Sequence, residues 1–207
     1  MPDPIVLTAA VEGLVDEVLV RRVCSFLGAK ISQVYGRQGK QHVLVRLAGY
    51  NHSARFRHWL ILLDLDNDAE CAPEAIAHWL PAPSPLMCLR VAVREVESWL
   101  LADSERIARF LSISPAIVPA DPDSLPDPKR TLVGLAARSR RRAIREDMVP
   151  VAGSGQAVGP AYTARLIEFI QNGSSGWRPE VAAKNSQSLT RCVSSISALI
   201  RDKANDA

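Results

Sequence analysis

Apolar residues gather in three short runs along this chain, and the stretches between them mix apolar and polar positions. The first run, Ile5-Val6-Leu7-Thr8-Ala9-Ala10, predicts a strand over about 4–11, and the others predict strands over 59–64 and 86–93, while Ile31 to Tyr35 gives a further strand between the first two. Unbroken apolar runs of this length suit strands buried on both faces, as in a parallel sheet. A helix is expected over 14–27, with Leu14, Val18, Leu19 and Val23 on one face and Gly28 as its stop. Helices are also expected over 41–47 and 73–79, the second with Pro73 in its first turn. This alternation predicts parallel pairing through right-handed crossovers. Beyond residue 97 the pattern is helical, over 97–111, 128–141, 160–171 and 178–203, broken by the Pro-rich 115–128 and by Gly153-Ser154-Gly155. The fold expected is α/β: a mainly parallel sheet of about four strands flanked by helices, with a core over 1–112. A helical C-terminal extension over 113–207 is expected to pack on it.

Acidic residues stand where two of these strands should end. Glu12-Gly13 follows the first strand with Asp16 one helical turn later, and Asp64, Asp66 and Asp68 close the third. Ligands of open α/β sheets gather at the carboxyl ends of the strands. If the strand conformation continues, the period of two puts Asp64 and Asp66 on one side. Carboxylates so close repel unless a cation lies between them, and Mg²⁺ or Mn²⁺ accepts such hard oxygen donors. A lone Asp after a strand is more often a cap or turn residue, but three at alternate positions fit that reading less well. An EF-hand calcium loop fits poorly, because its required Gly and Glu positions hold Ala69 and Ala75.

Glu12-Gly13-x-x-Asp16 after a first strand, with Asp64-x-Asp66 after a later one, resembles the TOPRIM domain shared by topoisomerases, bacterial primases and OLD-type nucleases. The chain further resembles a TOPRIM-like family often encoded beside ATPases in bacterial anti-phage loci. That likeness rests on the block from Arg90 through Glu95-Val96-Glu97-Ser98-Trp99-Leu100-Leu101-Ala102-Asp103, on Asp127-Pro128-Lys129, and on Asn185-Ser186-Gln187-Ser188-Leu189. It implies metal-dependent phosphodiester chemistry, with Glu12, Asp64 and Asp66 as the TOPRIM acids and Asp16 as the additional acid of the two-metal nucleases. It also implies an ATPase partner protein and a part in antiviral defence. Lys129 lies in one of these blocks and is a possible phosphate contact. Tyr35, Tyr50 and Tyr162 offer no convincing topoisomerase nucleophile, so hydrolysis by activated water is preferred.

Composition narrows the picture only moderately. The chain has 207 residues, 47% hydrophobic and 23% charged, enough for a sizeable core, with a net charge of +3. Its four cysteines show neither zinc spacing nor a disulfide framework. No signal-peptide pattern or membrane-length apolar stretch is evident, so a soluble cytoplasmic protein is expected. Arg138, Arg141, Arg142 and Arg145 would share a face if 138–145 were one helix, and a nucleic acid backbone is one counterpart for that stripe; a solvated helix face is the other. Lys40, after Gly36 and Gly39, is a second possible phosphate contact. Glu97, and less strongly Glu95, follow the fourth strand and are further metal candidates, against the ordinary use of acids at a helix start.

Three function classes follow. The first is a Mg²⁺- or Mn²⁺-dependent nuclease with Glu12, Asp64 and Asp66 as catalytic acids, and Asp16, Asp68 and Glu97 as further ligands. The second is a haloacid-dehalogenase-like phosphohydrolase with Asp64 as nucleophile. The third is a non-catalytic TOPRIM-shaped subunit that binds an ATPase.

Overall fold

The apolar runs over 5–10, 59–63 and 86–93 do form strands, and the mixed segment at 31–35 forms a fourth. In the computed structural model, which describes residues 4–202, the chain opens with β1 (Val6–Val11), α1 (Leu14–Phe26), β2 (Lys30–Gly36), α2 (Lys40–Ser53), β3 (Trp59–Asp64), α3 (Ala72–Trp79) and β4 (Met87–Ala92). All strand pairs are parallel, in the order β2-β1-β3-β4. The expected four-stranded parallel sheet is therefore present. It lies in one of two compact units, made of residues up to Val93 together with those from Ser188 on; Arg94–Gln187 form the other. Residues 94–112, counted with the core in the sequence reading, thus fall in the second unit.

The first unit buries both faces of the inner part of its sheet, while the edge strand β2 has no fully buried residue. β3 is the central apolar strand, and Leu60, Ile61, Leu62 and Leu63 are almost wholly enclosed. Each such side chain is worth roughly 1.5–3 kcal/mol of transfer free energy. Side chains alternate between the faces. Ala10, Trp59, Ile61, Leu63 and Leu89 pack with Val43 and Leu47 of α2 and with Leu80 just after α3, where Tyr50 and Trp59 stack at 4.8 Å. Cys88, next to Leu89 on β4, faces the other way and lies close enough to Cys24 of α1 to raise that thiol's pKa. On this second face Arg90 donates to Ser195 of α10 (Gln187–Asp202) at 2.8 Å. So α1 and α10 lie on one face, α2 and α3 on the other.

Several boundaries differ from the sequence reading. The first strand begins at Val6, and the helix expected over 41–47 runs on through Ser53. Leu14 is exposed rather than on the buried face of α1; it is the first helical residue, at the carboxyl edge of the sheet. The sharpest difference is at the acidic cluster. β3 stops at Asp64, Leu65 turns into the core, and Asp66 has a left-handed φ of 48°. The period-two argument for Asp64 and Asp66 therefore fails, because a turn has already replaced the strand.

The second unit is helical: α4 (Glu97–Leu101), α5 (Ser104–Leu111), α6 (Pro128–Ala137), α7 (Arg142–Met148), α8 (Tyr162–Gln171) and α9 (Pro179–Ala182). Its ends are tied by polar contacts inside the unit. Asp103, fully buried, splits the helix expected over 97–111; it caps α5 through the Arg106 amide and binds Arg178 through both carboxylate oxygens. The Trp177 indole donates to the Trp99 carbonyl at 2.9 Å, and the Asn185 side chain to that of Ala102 at 3.0 Å. The helix expected over 128–141 ends at Ala137, and the one over 178–203 divides into α9 and α10.

Candidate active site

Two neighbouring strands whose connections leave on opposite faces open a crevice beyond their carboxyl ends, and such a switch point is where α/β sheets bind ligands. Here those strands are β1 and β3: α1 leaves β1 toward one face and α3 leaves β3 toward the other. Glu12 follows β1 directly, and Asp64 is the last residue of β3. The Glu12 carboxylate accepts the Asp64 backbone N–H at 2.7 Å, so the side chain bridges the two strand ends. Burial pushes its carboxyl up to about 7; the Asp64 amide and the charge of Lys40 pull the other way without cancelling it.

Asp16 has a local explanation. Its carboxylate accepts the Gly13 N–H at 2.6 Å, reaching back from the third helical position to the cap of α1. An acid there also suits the positive end of the helix dipole. Asp16 is buried, and with Glu12 and Asp64 it belongs to the crevice end of the sheet.

The loop after β2 closes the site from the other side. Gly36 has φ of 86°, and a Cβ there would strike the Val11 carbonyl oxygen, so only glycine fits. The Arg37 and Gly39 amides then donate to the Val11 and Glu12 carbonyls at 2.8 and 2.9 Å. This delivers Lys40, the first residue of α2, to the acidic turn after β3. Its ammonium lies 2.5 Å from Asp66 and 2.8 Å from Asp68, and 5.7 Å from the centre of the Trp79 ring. Burial opposes the charge of Lys40, but the two carboxylates outweigh it and its pKa is raised. The repulsion between Asp66 and Asp68 is thus relieved by a cation from the chain itself. The sequence marks Lys40 only as a possible phosphate contact; its pairing with acids 26 and 28 residues away leaves no local signal.

Glu97 and Lys129 belong to the second unit. Glu97 is buried, accepts the Tyr162 hydroxyl at 3.2 Å and stands 3.7 Å from the Lys129 ammonium. Burial first, and then Glu97, push the Tyr162 pKa well up. Glu95 accepts the Lys129 backbone N–H at 2.9 Å and its ammonium at 2.5 Å, so it sits at the start of α6 beside the cap residue Asp127. Lys129 is engaged with acids rather than presented alone as a phosphate contact. The sequence reading missed the Asp103–Arg178 pair altogether, although Asp103 ends the most distinctive motif block.

The basic stripe is dispersed. Arg138 follows α6 as its cap, Arg141 precedes α7, and only Arg142 and Arg145 share a helix. Arg142 pairs with Glu146, while Arg145 donates to the Ser139 carbonyl. The single-helix spacing that supported a phosphate stripe does not exist, because the chain breaks at 138–141.

Among the described residues, no three His, Cys, Asp or Glu side chains are arranged as a metal cluster, and no helix is long and apolar enough to cross a membrane. The donors at the crevice are nonetheless all carboxylates, the chemistry a hard divalent cation requires. The fold and site together define an α/β protein with an acidic crevice at its topological switch point. Compared with known proteins, the chain matches no family model, no curated protein and no solved structure. The TOPRIM resemblance therefore rests on its motifs.

Proposed function

We propose that this protein is a Mg²⁺- or Mn²⁺-dependent phosphodiester hydrolase acting on nucleic acid, with its centre at the carboxyl ends of β1 and β3. The observation that carries the reading is the position of Glu12 and Asp64, hydrogen-bonded to each other at the switch point of the sheet. Glu12 and Asp64 would hold the cation, with Asp16 beside them and Asp66 and Asp68 at the rim. A divalent ion there supplies Lewis-acid activation of water and neutralises charge developing on the phosphate. Glu12, with a proton affinity near neutral, is matched to take a proton from the attacking water whenever it is not itself a ligand. Lys40 holds the acidic turn in place and keeps a positive charge beside the crevice. An effector role in antiviral defence beside an ATPase partner accords with the motif resemblance.

A second reading is favoured by one observation, the Lys40 ammonium between Asp66 and Asp68. A chain that supplies its own cation there needs no metal for that pair, which suits a non-catalytic TOPRIM-shaped subunit. Incubation with Mn²⁺ and either plasmid or structured RNA separates the two. Strand cleavage that falls at least a hundredfold in Asp64→Asn supports the hydrolase. Silence in the wild type, alone and with an ATPase encoded beside it, selects the subunit. Turnover of small phosphomonoesters through an aspartyl adduct at Asp64 would select the dehalogenase-like chemistry instead.

A further inference from the structure

Residues 18–63 contain no Asp or Glu, yet they carry Arg21, Arg22, Lys30, Arg37, Lys40, Arg46, Arg55 and Arg57. Arg21 and Arg37 pair with Glu17, and Lys40 with Asp66 and Asp68. Arg46, Arg55 and Arg57 are exposed and have no acidic partner among the described residues; Arg46 donates only to the His42 carbonyl of its own helix. Arg46 lies on α2, and Arg55 and Arg57 in the turn that follows it.

The same segment exposes apolar surface. Val45, Gly49, His52 and Phe56 follow one another at intervals of four, three and four, which places them along one side of α2 and its following turn. Val45 is 79% exposed and Phe56 77%. The His52 ring meets Phe56 edge-on at 6.2 Å, and Gly49 leaves the ridge between Val45 and His52 open. A bare phenylalanine between two arginines without counter-ions asks for a partner that offers both flat rings and negative charge.

We propose that this ridge binds a single-stranded polynucleotide, with Phe56 and His52 stacking on bases and Arg46, Arg55 and Arg57 holding phosphates. Stacking on an exposed ring needs an unstacked base face, which a duplex does not present. The absence of acids over 18–63 removes the repulsion that a polyanion would otherwise meet. The Phe56 end of the ridge lies at the amino end of β3, where the His58 carbonyl accepts the Thr8 amide, and the ridge runs from there along α2 to Val45, five residues from Lys40. Glu12 and Asp64 lie at the other end of that six-residue strand, on the order of 20 Å away at strand rise. The stacking end of the ridge at Phe56 is therefore a holding surface apart from the reacting phosphate. As a substrate contact it rests on the hydrolase reading, but binding is measurable without cleavage.

Fluorescence anisotropy with labelled oligothymidylate and with its duplex, both in EDTA, tests the surface. The wild type is expected to prefer the single strand. Phe56→Ala is expected to weaken binding about tenfold, a typical loss for one stacked base. Arg55→Gln with Arg57→Gln is expected to reduce the slope of log affinity against log salt by roughly 1.4, at about 0.7 per phosphate contact on single strands. All three side chains are exposed, so the melting temperature should not move. Wild-type affinity and salt slope in both variants would overturn the proposal, as would equal or better binding of the duplex. So would absence of polynucleotide binding together with a dimer that Phe56→Ala dissolves, which would make the ridge a contact for a second copy. Single-strand binding in a chain that never cleaves would support this surface while refuting the hydrolase.

Discussion

Replacing Glu12 by Gln puts the energetics of the crevice to a quantitative test. The amide keeps an oxygen for the Asp64 N–H, so the bridge between β1 and β3 survives while the ionisation is removed. In the folded wild type burial raises the carboxyl from 4.5 to about 7. The folded state thus keeps a proton that the unfolded chain gives up near 4.5. The stability tied to this proton is complete below pH 4.5 and is lost as pH rises through 7. Each pH unit between the two values costs about 1.4 kcal/mol, and between pH 5 and pH 8 the loss comes to roughly 2–3 kcal/mol. Glu12→Gln lacks this loss. Other titrating groups are common to both proteins, so the difference between their unfolding free energies should move in favour of the variant by that amount from pH 5 to pH 8. Denaturant titration in EDTA at the two values measures it. A difference that stays constant would refute the claim that Glu12 is buried at its own cost. Adding Mn²⁺ at pH 8 should then stabilise the wild type more than Glu12→Gln, because the variant has lost one of the carboxylates that would gain a counter-charge.

Asp103→Ala should destabilise the chain by about 2–4 kcal/mol in thermal or denaturant unfolding, since it takes the buried carboxylate from Arg178, which keeps only Glu105, and the cap from α5. Loss under 1 kcal/mol would show the pair to be dispensable. Gly36→Ala should lower the melting temperature by several degrees, because the methyl group meets the Val11 carbonyl at a φ that disfavours any side chain; an unchanged melting point would mean that the loop relaxes freely. Lys40→Met should lower stability in EDTA and enlarge the stabilisation produced by Mn²⁺, as Asp66 and Asp68 lose their internal cation. If the Mn²⁺ effect is no larger than in the wild type, those two acids do not compete for metal.

What the sequence reveals of this protein depends on how local the cause is. β3 and the acid that ends it are legible because a doubly buried strand must be apolar throughout, and Asp64 marks the point where that demand stops. The role of Asp66 is not legible, because nothing in Asp64-Leu65-Asp66 announces that the backbone turns left-handed at the third residue. The helix break at 138–141 is equally silent: Arg138-Ser139-Arg140-Arg141 contains neither glycine nor proline. Strand order is beyond pattern reading, since period and hydrophobicity specify a strand's faces but not its neighbours. The switch point, and with it the meeting of Glu12 and Asp64, therefore emerges only in three dimensions. The block ending in Asp103 shows the converse, because its distinctive residues hold the second unit together through partners such as Trp177 and Arg178, some 75 residues further on.

The return of α10 to the sheet has a consequence for how the protein is made. Synthesis proceeds at roughly 5–20 residues per second, so the ribosome spends on the order of ten seconds on Arg94–Gln187 before α10 can follow. Throughout that interval all four strands are available, but the sheet face that carries Cys88 and Arg90 lacks the helix whose Ser195 meets Arg90. The nascent chain must carry an uncovered apolar surface for that time, and its closure depends on contacts of long sequence separation, which form slowly. Yield on expression should consequently respond to chaperone supply and growth temperature more than the stability of the finished protein would suggest.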